Sequence, residues 1–145
     1  MATNKLTEES VRIHLMDKPE LNSLLRGVRW TSKDIEQAMI HCVSYFNESL
    51  PSCGQNFTVE SFPHPFTLLT GVCGHLLRSA AVHQANNSLN YSADGVQVQE
   101  NDKASVFAQM GSTYWEEFKG MVLGIKMQQH LNAAFGSVAS EFPNR

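Results

Sequence analysis

The chain has 145 residues, 42% of them apolar and only 17% charged, against about 25% charged in an ordinary soluble domain. That length and apolar share suit a single domain, 1–145, with a real core. The net charge of −3, with 11 Lys and Arg and no basic run, argues against sequence-independent phosphate binding, and the apolar runs are too short for a transmembrane span.

A first helix is expected from Thr7, whose side chain is a good N-cap, with Glu8 and Glu9 at the positive end of the dipole. Leu6 and Val11 occupy the two hydrophobic-staple positions, and the helix is expected to end near Pro19. A turn or short helix follows from Pro19 to Arg26, stopped by Gly27. The next helix is the best signposted. Thr31 caps it, Asp34 stands at the capping-box position, and Trp30 and Ile35 form the staple. Ile35, Ala38, Met39, Cys42, Val43 and Phe46 then fall on one helical face, and Lys33, Glu36, Gln37 and Ser44 on the other. Pro51 closes the segment.

Residues 51–65 read as a Pro- and Gly-containing loop, in which Phe57-Thr-Val offers a short strand. A third main helix is predicted from Phe66 to Ala85, with Leu69, Val72, Cys73, Leu76, Leu77, Ala80 and Ala81 as its apolar face. Gly71 and Gly74 each cost about 1 kcal/mol there relative to Ala, which predicts a close helix crossing.

Asn86 to Gly95 is turn chemistry, and the alternation Val96-Gln-Val98-Gln suits a short strand or arm. Asn101 or Asp102 caps a last helix reaching about Ala134, with Phe107, Met110, Tyr114, Phe118, Met121 and Ile125 as its stripe. At about 1.5 Å per residue that helix spans ~50 Å, more than the ~30 Å width of a small domain. Part of it must project or meet a neighbour. Gly120 and Gly124 read as another close crossing or a weak point. Trp115, off the stripe, reads as an intersubunit contact. Residues 136–145 read as an extended tail. The predicted fold is an all-α helical bundle with one long C-terminal helix, an extended arm or short β segment near 90–100, and an extended C-terminal tail.

Chemistry is sparse. Cys42, Cys53 and Cys73 are odd in number and lack CxxC spacing, which argues against a disulfide framework. Met1 to Lys5 lacks the apolar stretch of a signal peptide, so the matches to the glycosylation pattern at Asn47, Asn56, Asn86 and Asn90 read as chance. His41-Cys42 with Cys73-Gly-His75 is the nearest approach to a metal set, and both cysteines fall on apolar helix faces as small hydrophobes. No metal and no cofactor is expected. Cys53 with His64 downstream is the one conceivable nucleophile–base pair, with no motif around it. The capped helix from Thr31 offers only Lys33 to a phosphate backbone, which argues against a recognition helix for DNA.

A resemblance runs through most of the chain, from about Val11 to Phe142. Asp17-Lys-Pro-Glu-Leu-Asn22, Thr31-Ser-Lys-Asp-Ile35 and Phe46-Asn47 followed by Pro51 come first. Leu68-Leu69 with Gly71, Gln84 to Asn87, Asn90-Tyr-Ser92 with Asp94-Gly95, Asn101-Asp-Lys103, Lys126, Asn132 and Ser140-Glu-Phe142 follow. In order and spacing the series resembles tailed-bacteriophage virion structural proteins of the neck, of the head–tail connector or adaptor type. The family turn Ser-Asp-Gly-Gly departs here: Ala93 intervenes and Val96 stands for the second Gly.

The resemblance implies a structural, non-enzymatic subunit of the virion neck, made in the host cytoplasm. It implies a ring, usually of twelve copies, docked on the portal protein and on a neighbouring neck or tail-terminator protein. No membrane and no sequence-specific nucleic-acid partner is implied, with lining of the DNA channel left open. The interface candidates are Asn90, Tyr91, Asp94, Val96 and Val98 in the arm, Trp115 on the long helix, and Ser140 and Phe142 in the tail. Phe142 is the expected hydrophobic anchor. A tail-completion or stopper protein of the same neck, a small helical dimeric regulator or host-interaction protein, and a Cys53/His64 hydrolase are the alternatives.

Overall fold

The computed structural model describes residues 5–22, 27–52, 54–86, 91–93, 96–98 and 103–135. Four helices make the body: α1 (Glu8–His14), α2 (Ser32–Glu48), α3 (Pro65–Asn86) and α4 (Lys103–Phe135). Between α3 and α4 lie two short strands, β1 (Tyr91–Ala93) and β2 (Val96–Val98), paired antiparallel with Tyr91 opposite Val98 and Ala93 opposite Val96. The expected all-α bundle, with its long C-terminal helix and short β segment near 90–100, is the observed architecture. The predicted tail, 136–145, lies outside the described residues.

The caps fall where local chemistry puts them. The Thr7 hydroxyl accepts the Ser10 N–H at 3.2 Å, and both staple residues, Leu6 and Val11, are buried. At α2 the Thr31 hydroxyl accepts the Asp34 N–H at 3.2 Å while the Asp34 carboxylate accepts the Thr31 N–H at 2.7 Å, completing the capping box. All six predicted apolar residues of α2 are buried.

The end of α1 differs from expectation. The helix stops at His14 rather than near Pro19. Met16 takes the left-handed conformation at φ 53°, its N–H reaches the Ile13 carbonyl, and the Asp17 N–H reaches the Arg12 carbonyl at 2.9 Å. This is a Schellman ending with Met in the place glycine usually fills. The turn or short helix expected over 19–26 is, as far as 22, a single turn in which the Leu21 and Asn22 N–H groups bond the Lys18 carbonyl. Residues 23–26 are outside the described set.

The Phe57-Thr-Val stretch forms no strand. Asn47 takes the place of a strand neighbour: its amide donates to the Phe57 carbonyl and accepts the Phe57 N–H, both at 2.9 Å. That clamp holds Phe57 and Phe62 edge-on to Phe46, with ring centroids 5.8 and 5.0 Å away.

α3 is the central helix. Thr67, Leu68, Thr70 to Gly74, Leu76 and Leu77 are all buried, so it is covered around most of its circumference. α4 lies along it, and the predicted close crossing is present at both glycines. A Cβ on Gly71 would meet the Phe118 ring at 2.7 Å, and one on Gly74 would meet the Trp115 backbone N at 2.9 Å. Gly111 completes the contact from α4: a Cβ there would lie 2.9 Å from the Arg78 backbone N. Gly120 and Gly124, read as a second crossing or a weak point, have nothing within 4 Å among the described residues, so no crossing is made there.

Candidate functional site

Four of the six residues of the expected α4 stripe, Phe107, Tyr114, Phe118 and Ile125, face the core, and Met121 accepts from the Thr67 hydroxyl. The buried residues are Gly111, Phe118, Val122 and Lys126, with Phe107, Tyr114, Trp115 and Ile125 packed partly against the core. Met110, placed in the stripe by spacing, is exposed. Trp115, placed off it, is on it: its ring lies 5.0 Å from Phe118 and 5.3 Å from Tyr45, and the Arg78 guanidinium sits 5.8 Å from its centroid. It packs within its own chain. Reading Gly111 as part of the stripe, seven residues before Phe118, would have widened it to take in Trp115 and Val122 and to leave out Met110.

The opposite side of α4 is also apolar and has no cover among the described residues. Leu123 is 54% exposed, Met127 48%, Leu131 46% and Phe135 67%, at the spacing of one helical face. Gly120 and Gly124 lie on the same side. α4 has 33 residues against 22 in α3, so about 16 Å of it has no α3 alongside. From Gly120 to Phe135 the one Lys, Arg, Asp or Glu is Lys126. It is turned inward, 1% exposed, with its ammonium 4.6 Å from the centroid of the Phe46 ring. The outward side of this stretch therefore carries no Lys, Arg, Asp or Glu side chain. Where that side meets α2, Tyr45, Leu50, Val122 and Leu123 line an open groove of about 540 Å³, with Glu48 and Lys119 at its rim.

Charge is concentrated instead in a structural hub at the other end. Asp17 is 3% exposed. It accepts from the Arg12 guanidinium at 3.0 Å, the Asn22 amide at 2.7 Å, and the backbone N–H groups of Arg29 at 2.7 Å and Trp30 at 3.2 Å. Arg12 also donates to the Trp30 carbonyl and, through Nε and Nη2, to Glu8. Hydrogen bonds from Arg12 and then Ser32 hold the Glu8 carboxyl below its usual range. The hub ties α1, the 17–30 segment and the start of α2 together. Sequence reading missed it, because an isolated Asp before Lys-Pro carries no periodic signal.

The candidate metal residues separate by face. Cys42 and Cys73 are buried, and burial pushes each thiol up to about 12. Such thiols stay protonated near neutral pH and are poor nucleophiles and ligands. His41 and His75 meet at the helix surface with ring centroids 5.1 Å apart. Burial first, then the neighbouring His41 and Arg78, hold His75 below its usual value. Among the described residues no group of three or more His, Cys, Asp or Glu is placed to hold a metal ion. His64 stacks edge-on to Phe62 at 5.9 Å, and Cys53 lies outside the described residues.

Of the interface candidates, the β ladder sets Tyr91 opposite Val98 and holds Val96 at the other end. Asn90, Asp94, Ser140 and Phe142 are outside the described residues. Among those described, no helix is long and apolar enough to cross a membrane. In comparisons with known proteins, no family model, curated protein or solved structure matches this chain.

Proposed function

We propose that this chain is a structural subunit of the neck of a tailed-phage particle, a head–tail connector that acts by self-association and docking rather than by catalysis. The observation that carries the reading is the outward face of α4. A helix apolar on both sides, and longer than the bundle it belongs to, gains stability in water when its second side is covered. Copies set side by side in a ring cover it repeatedly, and a closed ring leaves no copy with an open face. The low charge of the chain agrees with a surface largely spent on contacts. The resemblance along 11–142 supplies the rest: a ring, usually of twelve copies, the portal on one side and a neck or tail-terminator protein on the other. In this reading the hairpin at 91–98 and the terminal residues Ser140 and Phe142 are the arms that reach those neighbours.

Immunogold labelling with antibodies against this chain, on purified phage particles from cells that make it, tests the reading. Label at the head–tail junction, with tail-less filled heads when the gene is deleted, is the expected result. Particles that carry no label, or that assemble at normal yield without the chain, overturn it.

A further inference from the structure

We propose that the free protein is an antiparallel pair, in which α4 of one copy crosses α4 of a second copy about Met127. The inference rests on reading the outward face of α4 as a self-association face, and names its occupant in solution. A twofold contact of this kind closes at two copies. It therefore describes the free protein, whose apolar face is covered by the second copy until ring neighbours take that copy's place.

Area argues for a second copy. Leu123, Met127, Leu131 and Phe135 are all about half exposed or more. Together on two copies they offer on the order of 1,000 Å² of apolar surface, about the least that a specific interface needs. On a lone copy the same patch sits at the upper end of what a monomer leaves open.

Charge decides the direction. The face is free of Lys, Arg, Asp and Glu from Gly120 onward, and Glu116 and Glu117 lie just before it. A parallel pair would set each Glu117 beside its own copy. An antiparallel pair about Met127 moves the two Glu117 residues about 30 Å apart along the axis. It also sets Leu123 against Leu131 of the second copy, and Gly120 against Ala134. The missing side chain at Gly120 and the small one at Ala134 let the helices approach closely. Gly120 and Gly124 have open space around them among the described residues, so their absence of a Cβ serves no contact there.

Single cysteines on the full chain, in a Cys53→Ser background, test both the face and its direction. The buried thiols of Cys42 and Cys73 do not compete. Under mild oxidation Met127→Cys should shift to twice the chain mass. Leu123→Cys and Leu131→Cys should each stay at single mass, because like positions lie about 12 Å apart along the axis, beyond disulfide reach. Mixed together, they should form the covalent pair. Circular dichroism confirms that each variant is folded, and Gln128→Cys is a second central probe.

Self-linking of every single variant means a parallel pair and overturns the proposal. So does a folded chain in which no variant links, alone or mixed. Gold label at the neck with no free pair leaves the connector reading standing and removes this one. A linked pair with no label on particles does the reverse.

Discussion

Gly71 and Phe118 fix how closely α3 and α4 approach: a Cβ on Gly71 would lie 2.7 Å from Cδ2 of the Phe118 ring. That ring is fully buried, with Tyr45 and Trp115 centroids 5.6 and 5.0 Å away, so it has no room to retreat. Gly71→Ala should therefore destabilise the fold by about 1–3 kcal/mol, the usual cost of overpacking. Gly74→Ala should cost at least as much, because its obstacle is backbone. In a monomeric Leu131→Glu chain, Gly120→Ala should instead gain about 1 kcal/mol of helix propensity. Denaturant midpoints of the three variants check the order.

The Asp17 hub predicts strong coupling. Asp17→Ala leaves the backbone N–H groups of Arg29 and Trp30 without their acceptor and takes one of the acceptors of Arg12, which keeps Glu8, and should cost about 1–3 kcal/mol. Arg12→Ala should be similarly damaging, and the double variant should cost well under the sum. Additive losses in a double-mutant cycle would show that the two residues act separately.

Both of these features bear on what the sequence made legible. The capping box at Thr31 and the apolar face of α2 were readable because each is a local pattern of fixed spacing. The α3–α4 crossing was readable from two glycines that a helix would otherwise avoid. The end of α1 was not, because Met16 carries no glycine signal and the turn is held by the side chain of Asp17, from 12 and 13 residues away in sequence for the Arg29 and Trp30 N–H groups. The α4 stripe was legible except at its edges: Phe107, Tyr114, Phe118 and Ile125 face the core as their spacing implies, while Met110 is exposed and Trp115 lies inside. In a helix apolar on two sides, only tertiary packing says where one face ends. The candidate site is the face left over.

Met16 offers a stabilising change. Its φ of 53° is a conformation glycine adopts freely and methionine does not. Met16 is 58% exposed, so little packing is lost on truncation. Met16→Gly should raise stability by about 1 kcal/mol, read as a higher melting temperature.

His75 gives a pH dependence. Its folded-state pKa lies below the ordinary histidine value of 6.5, because burial, and then the neighbouring His41 and Arg78, disfavour its charged form. The unfolded chain then binds more protons than the folded one between those two values. Its share of stability is complete above about 6.5 and is lost as pH falls through the window below. His75→Gln should flatten the slope of melting temperature against pH in that window and leave the alkaline side unchanged.

The outward face of α4 is the centre of the account, and light scattering across a concentration series measures it directly. The wild-type chain should run at a multiple of its 16.2 kDa mass. Leu131→Glu, which places a charge in the middle of the uncovered face, should run at 16.2 kDa with unchanged helical content. A wild-type chain that stays at single mass at every concentration, or a Leu131→Glu chain that associates as wild type does, would contradict it.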